Sequence, residues 1–325
     1  MKGSTNMRKT QRTENQRIER ANLQSYHGVS NGGESYAFCG FNSNKYFTSD
    51  RTIECDENFN RKDGKPMKGY GLEIETGFCL STNRNLQAQN ILSNIMTTAV
   101  FTKFPKDLFK QQMDCTITGT ECITQVMTKE FIRNNYKNFK TMWNELFPMF
   151  GITTDDGKCG MHVNISVGCL GTTPKIQEES CRKLYYIINK HYDFFKAALY
   201  RNGSTEWCGQ MYGYENAKTL DVHHMNGSHG NCFNGSHFDA GRIEIRLVGG
   251  QKNFACFRNT MEVIFHLIGA LKSLSWKQCD SLVAIFSGCN QYVFDRLETK
   301  CKMAGTISEL ELDVIRGTVI REDLI

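Results

Sequence analysis

Three short stretches and a hairpin signal hold residues whose types and spacing could do chemistry. In Tyr70-Gly-Leu-Glu-Ile-Glu-Thr-Gly77, the carboxylates of Glu73 and Glu75 stand two residues apart. On a strand that spacing puts both on one face, with Leu72 and Ile74 on the other. In Cys159-Gly-Met-His-Val-Asn-Ile-Ser166, His162, Asn164 and Ser166 alternate in the same way with Met161, Val163 and Ile165. In Gly241-Arg-Ile-Glu-Ile-Arg-Leu-Val248, Arg242, Glu244 and Arg246 oppose Ile243, Ile245 and Leu247. Neighbouring carboxylates on one face repel each other unless the face is wet or cations lie between them. Three half-buried strands with Glu, His and Arg faces, rather than Lys, Thr and Gln, fit a shared polar cavity that holds ions. A fourth piece places Asp114 and Glu121 on either side of a Thr118-Gly119 turn signal, where a hairpin would bring them together. Hard oxygen donors with one imidazole suit Mg²⁺ or Mn²⁺. Zinc calls for more His or Cys at short spacing, and His223-His224 has no third partner nearby in sequence.

The elements that must position these residues are legible as periodicity. Helical spacing recurs in Leu86–Val100, Phe131–Phe150, Ile176–Tyr200, Phe254–Leu274 and Ser281–Leu297. Their aromatic stripes read as core faces. Residues 1–30 are polar, basic at first and poor in large apolar side chains, which predicts a disordered arm. Residues 31–68 read as an irregular or short-stranded extension, and 69–325 as the catalytic domain. Residues 201–241 are rich in Gly, Asn and His and read as one long loop, within which the Asn-Gly-Ser sequences at Asn202, Asn226 and Asn234 are loop chemistry.

Taken in order, Gly71-Leu-Glu-Ile-Glu75, Asp114 with Glu121, Cys159-Gly-Met-His-Val-Asn164 and Ile243-Glu-Ile-Arg246 resemble the amidoligase family. That family lies within the glutamine synthetase and glutamate–cysteine ligase superfamily. The resemblance spans residues 70–275. It implies an α+β fold in which a curved antiparallel sheet carries ATP and divalent ions on one face and helices on the other. It further implies that Glu75, Asp114 and Glu121 hold one metal ion and Glu73, His162 and Glu244 a second. Asn164 and Ser166 match positions near the nucleotide phosphates, and Arg246 matches an arginine facing the transferring phosphoryl group. The implied activity is ATP-dependent joining of a carboxylate to an amine through an acyl phosphate. The chain departs from the family where an arginine usually precedes an asparagine ahead of the last strand: His229-Gly-Asn231 stands there.

Composition sets the wider bounds. The 325 residues are 40% hydrophobic and 22% charged, ordinary for a globular enzyme, with a formal net charge of +5. Fourteen cysteines include no C-x-x-C pair, and Cys122, Cys181 and Cys256 fall at core positions; a reducing cytoplasm is the expectation. No apolar run approaches the ~20 residues of a membrane span. Basic residues are not concentrated outside the arm, which argues against a nucleic-acid partner. Small carboxylate and amine substrates are expected instead, such as amino acids or peptides. Two rivals stay open: another metal-dependent phosphoryl-transfer enzyme or hydrolase, and a nucleic-acid-binding protein using the arm.

Overall fold

In the computed structural model, the described residues are 37–39, 44–56, 60–78, 100–113, 120–154, 159–201, 208–225 and 230–321. The arm, Asp114 and nearly all of the helix expected over Leu86–Val100 lie outside them.

Alternating side chains produce strands at the three polar-faced stretches, Tyr70–Glu75, Met161–Ser166 and Arg242–Ile245. The strands are β1 (Ala37–Cys39), β2 (Lys45–Phe47), β3 (Thr52–Glu54), β4 (Tyr70–Glu75), β5 (Gly77–Phe78), β6 (Phe109–Met113), β7 (Thr120–Thr124), β8 (Val126–Met127), β9 (Ile152–Thr153), β10 (Met161–Ser166), β11 (Phe233–Asn234) and β12 (Arg242–Ile245). Ten of them form one sheet whose main path runs β1-β6-β7-β4-β10-β12-β11, with β2, β3 and β8 off it. Every pair along the path is antiparallel. The expected antiparallel sheet is nonetheless mixed, because β2 pairs with β8 in parallel. Strands β1, β2 and β3 come from the stretch read as an extension, so the described part of that stretch is built into the same sheet.

The central strands are buried on both faces: all six residues of β4, all six of β10 and all four of β12. On one face Leu72, Ile74, Val163, Ile243 and Ile245 share a core with Phe139, Trp143, Phe257, Met261 and Phe265 from the covering helices. Tyr70 meets Phe265 edge-on at 4.8 Å, and Trp143 stacks on Phe257 at 4.3 Å. The fold is therefore α+β, with helices packed on one side of a mixed sheet.

The helices that matter below are α1 (Lys129–Asn134), α2 (Tyr136–Thr141), α3 (Pro174–Lys190), α4 (Tyr192–Ala198), α5 (Phe254–Ala270) and α6 (Gln291–Arg296). The periodic run Phe131–Phe150 does not form one regular helix. Asn135 ends α1 and turns its amide back to the Phe131 carbonyl. Pro148 lacks the N–H that an α-helix would direct to residue 144, and a π turn spans Met142–Leu146 just before it. Pro174 opens α3 at a position that needs no N–H, behind the Thr173 cap. Asn253 caps α5 by accepting from Cys256 N–H at 3.0 Å.

Residues 201–241 are more ordered than a loop reading suggests. Their described part holds 3₁₀ turns at Tyr214–Thr219 and Val222–His224 as well as β11. The cysteines with described side chains are free. Among the described residues, no helix is long and apolar enough to cross a membrane.

Candidate metal centre

Cross-strand register assembles the site. Antiparallel partners directly opposite each other project to the same face. His162 stands opposite Glu73, Asn164 opposite Glu244, and Glu75 opposite Glu121. Three neighbouring strand pairs thus draw residues separated by about 170 positions into one cluster on the face away from the helices.

The contacts are close. His162 Nδ1 lies 3.1 Å from Glu73 Oε2 and 3.3 Å from Glu244 Oε1, and its Nε2 lies 3.7 Å from Glu75 Oε1. Glu73, Glu121 and His162 each offer a ligand atom within 4.8 Å of the others. Arg246 Nη1 donates to Glu244 Oε1 at 2.7 Å. Asn164 uses its amide as a bracket: Nδ2 donates to Glu73 Oε1 at 2.8 Å, and Oδ1 accepts from the fully buried Arg242 at 2.5 Å. The Gly160 N–H donates to Glu75 Oε2.

Buried charge sets the electrostatics. Burial and the Arg246 charge oppose protonation of His162, yet the hydrogen bond to Glu73 and the Glu244 and Glu75 charges outweigh them. The imidazole pKa is raised above its ordinary value. Burial likewise opposes ionisation of Glu244, but Arg246, His162, Arg242 and the Asn234 amide hold its carboxyl well below the usual range. Burial lowers and the Glu244, Glu73 and Glu75 charges raise the pKa of Arg246, and the net direction is upward.

No protein-family model matches the chain, and no curated protein matches it. The site therefore rests on its geometry.

Glu73, Glu75, Glu121, His162, Glu244 and Arg246 meet on one face. Asp114 lies outside the described residues. Ser166 shares their strand parity but not their place: it lies four residues beyond His162, about 13 Å along an extended strand. Its hydroxyl is fully buried and accepts from Gly69 N–H at 3.2 Å. The exposed His223 and His224 pair instead with Asp239 and Asp221, at 2.5 and 2.6 Å.

Asn234 is a site residue that sequence reasoning assigned to loop chemistry. Its amide donates to Glu244 Oε2 at 3.1 Å from the two-residue strand β11. So short a strand carries no periodic signal.

The donor set fits hard divalent cations: several carboxylate oxygens and one imidazole, buried too closely to share a face comfortably without positive charge among them. The site also offers an anion something to hold. Arg246 Nε is buried and makes no hydrogen bond among the described residues, and such a donor is costly to leave unmet.

Proposed function

We propose that the chain is an ATP-dependent carboxylate–amine ligase whose sheet is of the glutamine synthetase type. The observation that carries this reading is the meeting of four carboxylates and an imidazole with an arginine whose Nε has no partner among the described residues. ATP with Mg²⁺ or Mn²⁺ would activate a carboxylate as its acyl phosphate, and an amine would then displace phosphate.

Glu73, Glu75, Glu121, His162 and Glu244 would hold the divalent ions, with Asp114 as a further candidate from the hairpin loop. Asn164 would position Glu73, since its Nδ2 donates to that carboxylate while Arg242 holds its Oδ1. Asn234 does the same for Glu244. Arg246 would meet phosphoryl oxygens, where a planar fork offers paired donors to charge spread over several atoms. Ser166 is left out of the nucleotide contacts because its hydroxyl is buried against Gly69. Phosphoryl transfer depends on positioning and charge neutralisation more than on a protein nucleophile, so acids and arginines of this kind suffice.

The test is ADP release measured across a panel of amino acids and short peptides. The ligase reading expects release that requires both a carboxylate and an amine. Release with a guanidino acceptor alone would indicate phosphoryl transfer of another class. Hydrolysis indifferent to amines would indicate a hydrolase.

A further inference from the structure

Helix α4 ends in a turn that residues with a Cβ avoid. Tyr200 adopts φ 64°. The chain closes a Schellman motif around it, with Tyr200 N–H donating to Ala197 O at 3.2 Å and Arg201 N–H to Lys196 O at 2.8 Å. Glycine is usual at that position, because a side chain there crowds the backbone. Here the Tyr200 ring is faced by Arg296 of α6 at 5.0 Å and by Lys300 at 5.4 Å. Gly249 makes room on the other side: its N–H donates to Leu199 O at 3.0 Å, and a Cβ on it would stand 2.1 Å from Tyr200 O. A strained turn, a cation-flanked ring and an obligatory glycine all act on where the next residue goes.

That residue is Arg201. It is 8% exposed, and its Nη1 donates to Val248 O at 3.3 Å. A Cβ on Gly160 would lie 2.8 Å from Arg201 Nη1 and 3.3 Å from Glu75 Oε2. Position 160 has the strand parity of His162 and Asn164, so this meeting point is on the polar face. Glu75 Oε1 lies 3.7 Å from His162 Nε2, and His162 Nδ1 lies 3.3 Å from Glu244 Oε1, the oxygen to which Arg246 donates. Both guanidinium groups therefore border the same acid cluster, Arg201 beside Glu75 and Arg246 on Glu244. Backbone strain that delivers a charged group to such a cluster points to a task at the site rather than to stability.

We propose that Arg201 and Arg246 form a two-guanidinium clamp for an oxyanion seated against the metal-binding carboxylates, with Arg201 delivered by the turn at Tyr200. The oxyanion is a phosphoryl or a carboxylate group. The choice between them rests on the ligase reading, whereas the clamp itself does not.

The test is calorimetric titration of inorganic phosphate into the full chain with saturating Mn²⁺, for the wild type, Arg201→Gln, Arg201→Lys, Arg246→Gln and Tyr200→Gly. Melting curves establish that each variant is folded. Arg201→Gln and Arg246→Gln should each weaken phosphate about tenfold or more, the usual worth of a hydrogen bond to a charged group. Arg201→Lys should recover part of the loss. Tyr200→Gly keeps a residue that accepts positive φ but removes the ring, so it should remain folded and bind phosphate with an affinity between those of the wild type and Arg201→Gln. Phosphate binding that is absent from the wild type, or unchanged by Arg201→Gln, overturns the clamp. Unchanged binding in folded Tyr200→Gly overturns the role of the Tyr200 ring, since glycine keeps the turn. Parallel titrations with Mn²⁺-ATP, Mn²⁺-ADP and acetate identify the source of the oxyanion. A selective loss for ATP over ADP in Arg201→Gln assigns a γ-phosphoryl oxygen to Arg201, and a selective loss for acetate assigns a carboxylate. Phosphate binding that depends on Arg201 in a protein that binds no ATP would sink the ligase reading and leave the clamp standing.

Discussion

Arg246 and Glu244 are two residues apart and ion-paired, yet the reading gives them separable tasks. Arg246→Lys keeps the charge but loses the planar fork, so turnover should fall about 10²–10³-fold with little change in ATP affinity. Glu244→Gln removes a metal ligand and should raise the Mg²⁺ requirement as well as slow turnover. If Arg246 serves only to pair with Glu244, the lysine variant would turn over nearly normally per folded molecule, and kcat at matched folded fraction shows which holds. Gly160 tests the site without touching a ligand. Its N–H holds Glu75, and a Cβ would intrude between Glu75 and Arg201. Gly160→Ala should weaken Mn²⁺ binding by about tenfold, as when a partner that orients a ligand is lost. Equal Mn²⁺ affinity in a folded Gly160→Ala protein would show that Glu75 does not depend on this support.

At the scale of elements, helices α1, α2 and α5 are tied by one buried carboxylate. Glu262 of α5 accepts from Arg133 Nε and Nη2 at 2.9 and 2.6 Å, from the Tyr136 hydroxyl at 2.6 Å and from Asn290 Nδ2 at 2.9 Å. Burial alone would raise its pKa, but the Arg133 and Tyr136 hydrogen bonds dominate and lower it. A carboxyl with a lowered folded pKa contributes stability above its unfolded value of about 4.3, and that contribution disappears as pH falls through the folded pKa. Glu262→Gln should therefore cost roughly 1–3 kcal/mol near neutrality. The gap from the wild type should narrow on acidification below about pH 4. Denaturant unfolding at several pH values checks this, and a gap independent of pH would exclude the ionised carboxylate as its source.

For the whole molecule, the buried acids make the folded state responsive to cations. Mg²⁺ with ATP should stabilise the fold by mass action, about 2.7 kcal/mol at a hundredfold excess over Kd, or roughly 5 °C in melting temperature. Glu75→Ala should shrink that rise, while replacing the exposed Lys252 should not. A wild-type melting curve unmoved by saturating Mg²⁺-ATP would count heavily against the ligase reading. The described strands of residues 31–68 bear on the same scale. Because β2 pairs with both β3 and β8 of the main sheet, deleting residues 31–68 should destabilise the whole fold.

Period-two alternation around Glu73, His162 and Glu244 is a local property, so the sequence alone determined which strands carry polar faces and which side chains share each face. Helical periodicity likewise marked the covering layer, though not its breaks at Asn135 and before Pro148, where a single cap or a missing N–H outweighs the pattern. Register is set between strands rather than within them. Only the tertiary structure decided that Glu75 faces Glu121, that Asn164 is engaged by Arg242 and Glu73, and that Ser166 lies beyond the cluster. Asn234 and Arg201 were illegible for the same reason. One reaches the site from a strand of two residues, and the other from a left-handed turn held by Gly249 and Arg296, partners remote in the chain that no local pattern records.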